Sequence, residues 1–99
     1  MAELEVLNVA KRYADQVRGM MDAKAIFLYG SQARGTARKD SDIDIAVIVD
    51  QVPGDYLTAL SKLWRLTRTV HDDIEPVLLL EQDSDSGFLQ TVRKTGIAV

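Results

Sequence analysis

Two carboxylates one residue apart, Asp42 and Asp44, follow a glycine–serine pair, Gly30-Ser31, in the stretch GSQARGTARKDSDID. Side chains alternate along a strand, so Asp42 and Asp44 project together while Ile43 and Ile45 turn to the other face. Two like charges side by side repel, and a cation or water between them relieves the cost. Oxygen ligands of this kind suit Mg²⁺, which commonly takes one or two carboxylates plus phosphate oxygens of a substrate. The other end of the stretch has the complementary chemistry. Gly30 lets the backbone turn tightly, and Ser31 opens a helical turn whose unpaired N–H groups and positive dipole end seat an anion. A charged, solvated loop is the competing description of the same residues.

Deciding between them requires the elements that would position these groups. Leu4, Leu7, Ala10, Ala14, Val17 and Met21 recur at helical spacing, which predicts an amphipathic helix over residues 3 to 21. Ala25 to Tyr29 is a short apolar run closed by Gly30, and it reads as a buried strand. The segment SQAR is one turn of helix, and Ile43 to Val49, IDIAVIV, is the clearest strand in the chain. Asp55 is an N-cap for a second long helix carrying Leu57, Leu60, Leu63, Trp64, Thr67 and Val70. Ile74 to Leu80 is a third strand, which Pro76 places at an edge or a bulge because proline cannot donate a ladder hydrogen bond. Ser86 caps a last helix through Phe88, Leu89 and Val92 that stops at Gly96, and residues 97 to 99 form a final edge strand where copies of the chain could pair.

Helices packed on a small sheet follow from this order, an α/β (α+β) arrangement. Antiparallel pairing of the first two strands brings Ser31 and Asp42 to one end of the sheet. The third strand is reached through a whole helix, the form of a parallel crossover, so its start lies at that same end. Glu75 then joins Asp42 and Asp44 as a third carboxylate.

With 99 residues the chain is expected to form a single domain over residues 1–99 with one site. No apolar run approaches the roughly 18 residues of a membrane span, and the N-terminal stretch lacks the apolar region of a secretory signal. Cysteine is absent, which excludes disulfides and thiolate metal sites and fits a cytoplasmic setting. A net charge of −3 weighs against a chain whose main task is gripping a nucleic-acid backbone. His71 at a helix end, and Lys62, Arg65 and Arg68 on one helix face, read as structural or solvated; Trp64 and Met20 read as core or interface.

Gly30-Ser31, ten residues, then Asp42-Ile43-Asp44 resembles the GS-x10-DxD signature of the polymerase-beta-like nucleotidyltransferases, and FLYGSQARGTARKDSDIDIAVIV is similar to the minimal nucleotidyltransferase (MNT) family. The resemblance implies a palm-like core and Mg²⁺-dependent transfer of a nucleotidyl group from a nucleoside triphosphate, usually ATP, to a hydroxyl. It implies that Gly30 and Ser31 contact the triphosphate, that Asp42 and Asp44 bind two Mg²⁺ ions, and that Glu75 stands at the third carboxylate, where the family more often has Asp. Gln32 occupies a place where relatives often carry Arg. Small proteins of this family often pair with an all-helical HEPN protein as antitoxin and toxin, and some are thought to attach AMP to a tyrosine of the toxin.

On this reading Arg34, with Arg38 and Lys39 as weaker candidates, neutralises charge growing on the phosphates, and Glu75 helps remove the acceptor's proton. A second class remains open: a module with the same fold that neutralises a partner by masking it, without turnover. A third, nucleotide addition to RNA ends, needs a basic channel that this acidic chain does not display.

Overall fold

The computed structural model describes residues 2–37, 41–83 and 87–99. In chain order the elements are α1 (Glu3–Met20), β1 (Ala25–Tyr29), α2 (Ser31–Arg34), β2 (Ile43–Val49), α3 (Tyr56–Thr67), β3 (Ile74–Leu80), a 3₁₀ turn (Glu81–Asp83), α4 (Gly87–Thr95) and β4 (Ile97–Ala98). Among the described residues the strands form one mixed sheet in the order β3-β2-β1-β4. The β1–β2 pair is antiparallel, the β2–β3 pair parallel and the β1–β4 pair antiparallel. The parallel pairing is the consequence of α3 acting as the crossover between β2 and β3. Pro76 sits on β3, which pairs only with β2, so its missing N–H costs no ladder bond.

One face of the sheet carries the main core. Ile26, Leu28, Ile43, Ile45, Val47, Val49, Ile74 and Leu78 pack there against Val6, Ala10, Tyr13, Ala14 and Val17 of α1 and Ala59 and Leu63 of α3. The Tyr13 hydroxyl, buried between the two helices, donates to the Leu63 carbonyl at 2.7 Å and so pins α1 to α3. Asp55 is the N-cap of α3, its carboxylate accepting from the Thr58 backbone N–H at 3.0 Å. The opposite face keeps α4 beside β1, with Leu89 and Val92 buried; Ala46 and Ile48, on that face by alternation, are buried too.

Most of each expected helix stripe faces the core, and a few residues do not. Ala10, Ala14, Val17 and Met21 of α1 and its C-terminal flank are buried and Leu7 packs against the core as expected, whereas Leu4 is 68% exposed and Val6 and Tyr13 complete the stripe in its place. Two residues of a helix subtend about 200°, so a stripe centred near Val6 carries Leu4 to the far side. On α3, Leu57 is 69% and Trp64 45% exposed, while Ala59, Leu63 and Thr67 face inward. Trp64 and Met20 are therefore not core residues. The helix also ends at Thr67, three residues before Val70. Ser86, expected as the cap of α4, lies outside the described residues, as do Arg38 and Lys39.

Candidate active site

The register of the sheet assembles the site. Tyr29 is the cross-strand partner of Asp44, and Asp44 is the partner of Glu75, so three strands place Tyr29, Asp44 and Glu75 in one row on the face opposite the main core. Asp42 lies two positions before Asp44, and Ile43 and Ile45 between and beyond them are fully buried on the other face. The expected alternation is what the strand adopts.

Gly30 ends β1 with φ +75°, a backbone conformation that a side chain disfavours. Space requires glycine there as well: a Cβ at this position would fall 2.6 Å from the Asp44 Oδ2. The turn that opens α2 therefore lies directly against one of the carboxylates. α2 is a single turn, N-capped by Gly30 and closed by Gly35 in the left-handed conformation, with the Thr36 N–H bonded to the Ser31 carbonyl at 3.0 Å. Ser31 is its first residue, where backbone N–H groups have no partner within the helix. Gln32 turns its amide to the Ser41 carbonyl at 3.2 Å and ties α2 to the entrance of β2.

The electrostatics match this crowding. The Asp44 carboxyl is held above its ordinary range by burial and by the charge of Asp42, with Arg34 pulling the other way. Glu75, at the exposed mouth of β3, is also raised, through loss of solvent, the charges of Asp42 and Asp44, and a side-chain hydrogen bond with Asp42. Burial, then Asp44 and Glu75, push the Tyr29 phenol up to about 12. Arg34 is exposed but close enough to act on Asp44, which places a cation at the carboxylates.

Sequence reasoning did not single out Tyr29 or its neighbour on α4. The Phe88 ring meets Tyr29 edge-to-face, centroids 5.5 Å apart and planes at 82°, making an aromatic wall beside Asp44. An aromatic residue immediately before Gly30 was the available signal, but its significance depends on the register.

The donor set is all oxygen, which fits a hard cation such as Mg²⁺ and not a soft one. Among the described residues no three His, Cys, Asp or Glu side chains converge on one metal-sized point. Each carboxylate nonetheless feels the charge of its neighbours, Asp44 that of Asp42 and Glu75 those of both, and Asp42 also hydrogen-bonds Glu75. Carboxyls raised by one another's charge are those that a cation stabilises, and Mg²⁺ needs only one or two of them.

The sequence profile described as "Polymerase beta, Nucleotidyltransferase" matches residues 11–99. The chain belongs to this nucleotidyltransferase family. Its fold is similar to the crystal structure of a nucleotidyltransferase candidate from Sulfolobus solfataricus, at 20% identity and a TM-score of 0.71, over 97% of this chain and 80% of that one. A toxin–antitoxin structure with AMP-PNP matches 99% of this chain and 72% of its own at 23% identity and a TM-score of 0.61. A mutant of the toxin–antitoxin MntA-HpeT matches 100% of this chain and 72% of its own at 26% identity and a TM-score of 0.59. No curated protein matches the chain.

Proposed function

We propose that this nucleotidyltransferase acts as the antitoxin of a toxin–antitoxin pair, transferring AMP from ATP to a hydroxyl, the acceptor being a tyrosine of a HEPN-type helical toxin. The observation that carries the chemistry is the register in which Asp44 lies against Gly30, beside Glu75 and two residues from Asp42. The partner class is supported by the structural likeness to the toxin–antitoxin proteins.

Gly30 and Ser31 hold the triphosphate through the backbone N–H groups that open α2. Arg34, already within reach of Asp44, balances the negative charge that grows on the phosphates. Asp42 and Asp44, with Glu75 on the open side, hold two Mg²⁺ ions, which supply neutralisation of the triphosphate and of the leaving pyrophosphate. The acceptor oxygen bonds to the α-phosphorus as the bond to the β-phosphate oxygen breaks, and pyrophosphate leaves. Glu75 takes the acceptor proton.

The test uses α-phosphate-labelled ATP, Mg²⁺ and a HEPN-type helical protein as acceptor. Label should move to that protein, and Asp42→Asn with Asp44→Asn should reduce transfer by more than about 100-fold. Undiminished labelling by the double variant would sink the mechanism. Protection of cells by the double variant equal to wild type would show masking without turnover.

A further inference from the structure

The second long helix presents a face that the fold does not use. From Tyr56 to His71 the sequence holds Lys62, Arg65 and Arg68 and no acid, in a chain of net charge −3. Among the described residues none of the three cations enters an ion pair. Leu57 and Trp64, 69% and 45% exposed, lie on the same outer side at a spacing of two turns. Leu57, Leu60, Ser61, Trp64, Arg65 and Arg68 line a groove of about 560 Å³ that ends at Asp72.

Tryptophan and arginine are residues on which protein interfaces concentrate their binding energy, and Leu57 extends the exposed apolar surface beside them. A nucleic-acid backbone asks for more cations and has no use for the Leu57 anchor. The face is instead complementary to a helix with an apolar stripe and acidic flanks, laid along about 16 Å of α3 in the helix-in-groove manner.

The turn after α3 is bonded to the entrance of β2, the Asp73 carbonyl accepting from the Ile43 N–H at 2.8 Å. α3 packs on the core face of the sheet and the carboxylates lie on the opposite face, so the outer side of α3 is a surface separate from the site. We propose that the outer face of α3, with Leu57 and Trp64 flanked by Lys62, Arg65 and Arg68, docks an acidic amphipathic helix of a partner protein. The docking does not rest on the proposed transfer.

Trp64 is the only tryptophan, so its emission reports on this face alone. The full chain is titrated with a synthetic helix-forming peptide that carries leucines at helical spacing flanked by glutamates, with a glutamate-to-lysine version, with a scrambled acidic version and with a short single-stranded RNA. The acidic amphipathic peptide should saturate and shift Trp64 emission to the blue, and the other three should bind at least about tenfold more weakly. Arg65→Glu with Arg68→Glu, and separately Lys62→Glu, should weaken the peptide by about tenfold or more while Mg²⁺–ATP binding stays as in wild type. Equal binding of the scrambled peptide, no loss in the charge-reversed variants, or tighter binding of RNA overturns the proposal. So does a dimer of the chain that Arg65→Glu with Arg68→Glu dissociates while the peptide fails to bind. Failure of Mg²⁺–ATP binding in wild type, with the peptide still bound, would overturn the transferase reading and leave the docking face standing.

Discussion

Gly30→Ala tests the site at its tightest contact. Two penalties combine. A non-glycine residue at φ +75° and ψ −152°, a region almost confined to glycine, costs roughly 1–3 kcal/mol. The new methyl would also lie 2.6 Å from the Asp44 Oδ2, well inside an ordinary carbon–oxygen contact of about 3.3–3.6 Å. The carboxylate must retreat by something approaching 1 Å, and a misplacement of that size costs transfer on the order of 100-fold. The strain alone should lower the Tm by about 4–24 °C, at 4–8 °C per kcal/mol for a domain of this size. Thermal melts and label transfer on the single variant, on Asp44→Ala and on the double variant separate the two penalties. With Asp44 cut back to alanine the clash disappears and only the backbone strain remains, so Gly30→Ala should cost less there, with a coupling of about 0.5–3 kcal/mol. A Gly30→Ala protein with wild-type Tm and transfer, or one whose stability loss is the same with and without the Asp44 carboxylate, would refute the contact.

Asp44→Asn should raise the Tm at neutral pH while abolishing transfer. The Asp44 carboxyl is raised in the fold by burial and by Asp42, so its stability contribution is fully present below the ordinary carboxylate pKa and lost as pH rises through the raised value. The advantage of the amide should therefore shrink as melts are run from about pH 8 down to about pH 4; an advantage constant across that range contradicts the raised carboxyl. Tyr13→Phe removes the buried bond to the Leu63 carbonyl and should lower stability by about 0.5–1.5 kcal/mol, read from the urea midpoint. Gln32→Ala frees Ser41 from α2; transfer should fall severalfold with a stability change under about 1.5 kcal/mol, because the bond positions the turn more than it supports the core.

The strands and their pairing were legible because the chemistry of the chain is written in period two. Asp42, Ile43, Asp44 and Ile45 alternate between solvent and core, and only one phase of that alternation buries the isoleucines. Helix phase was less legible. α1 and α3 each carry apolar residues beyond their buried stripe, so Leu4, Leu57 and Trp64 satisfy helical spacing as well as Val6, Ala59 and Leu63 do. Spacing identifies a stripe, but the choice between two overlapping stripes is made by what the sheet offers to pack against. Tyr29 went unread for a related reason, since its relation to Asp44 exists only across the β1–β2 ladder.

The same ladder explains how so small a site is held. Gly30 and Ser31 are only half-buried, and α2 buries no residue fully, Ala33 alone packing against the core. A four-residue helix cannot fix its own position. What fixes it is the β1–β2 register, because sliding the pair by one residue would drive Asp42 and Asp44 into the core and expel Ile43 and Ile45. The fully buried apolar residues of β2 thus enforce the distance between the Gly30-Ser31 turn and the carboxylates, while the bond from Gln32 to Ser41 only trims the loop between them. Catalytic geometry in this fold is therefore a by-product of core stability. Substitutions that loosen Ile43 or Ile45 should weaken nucleotide handling before any residue that touches the nucleotide has changed.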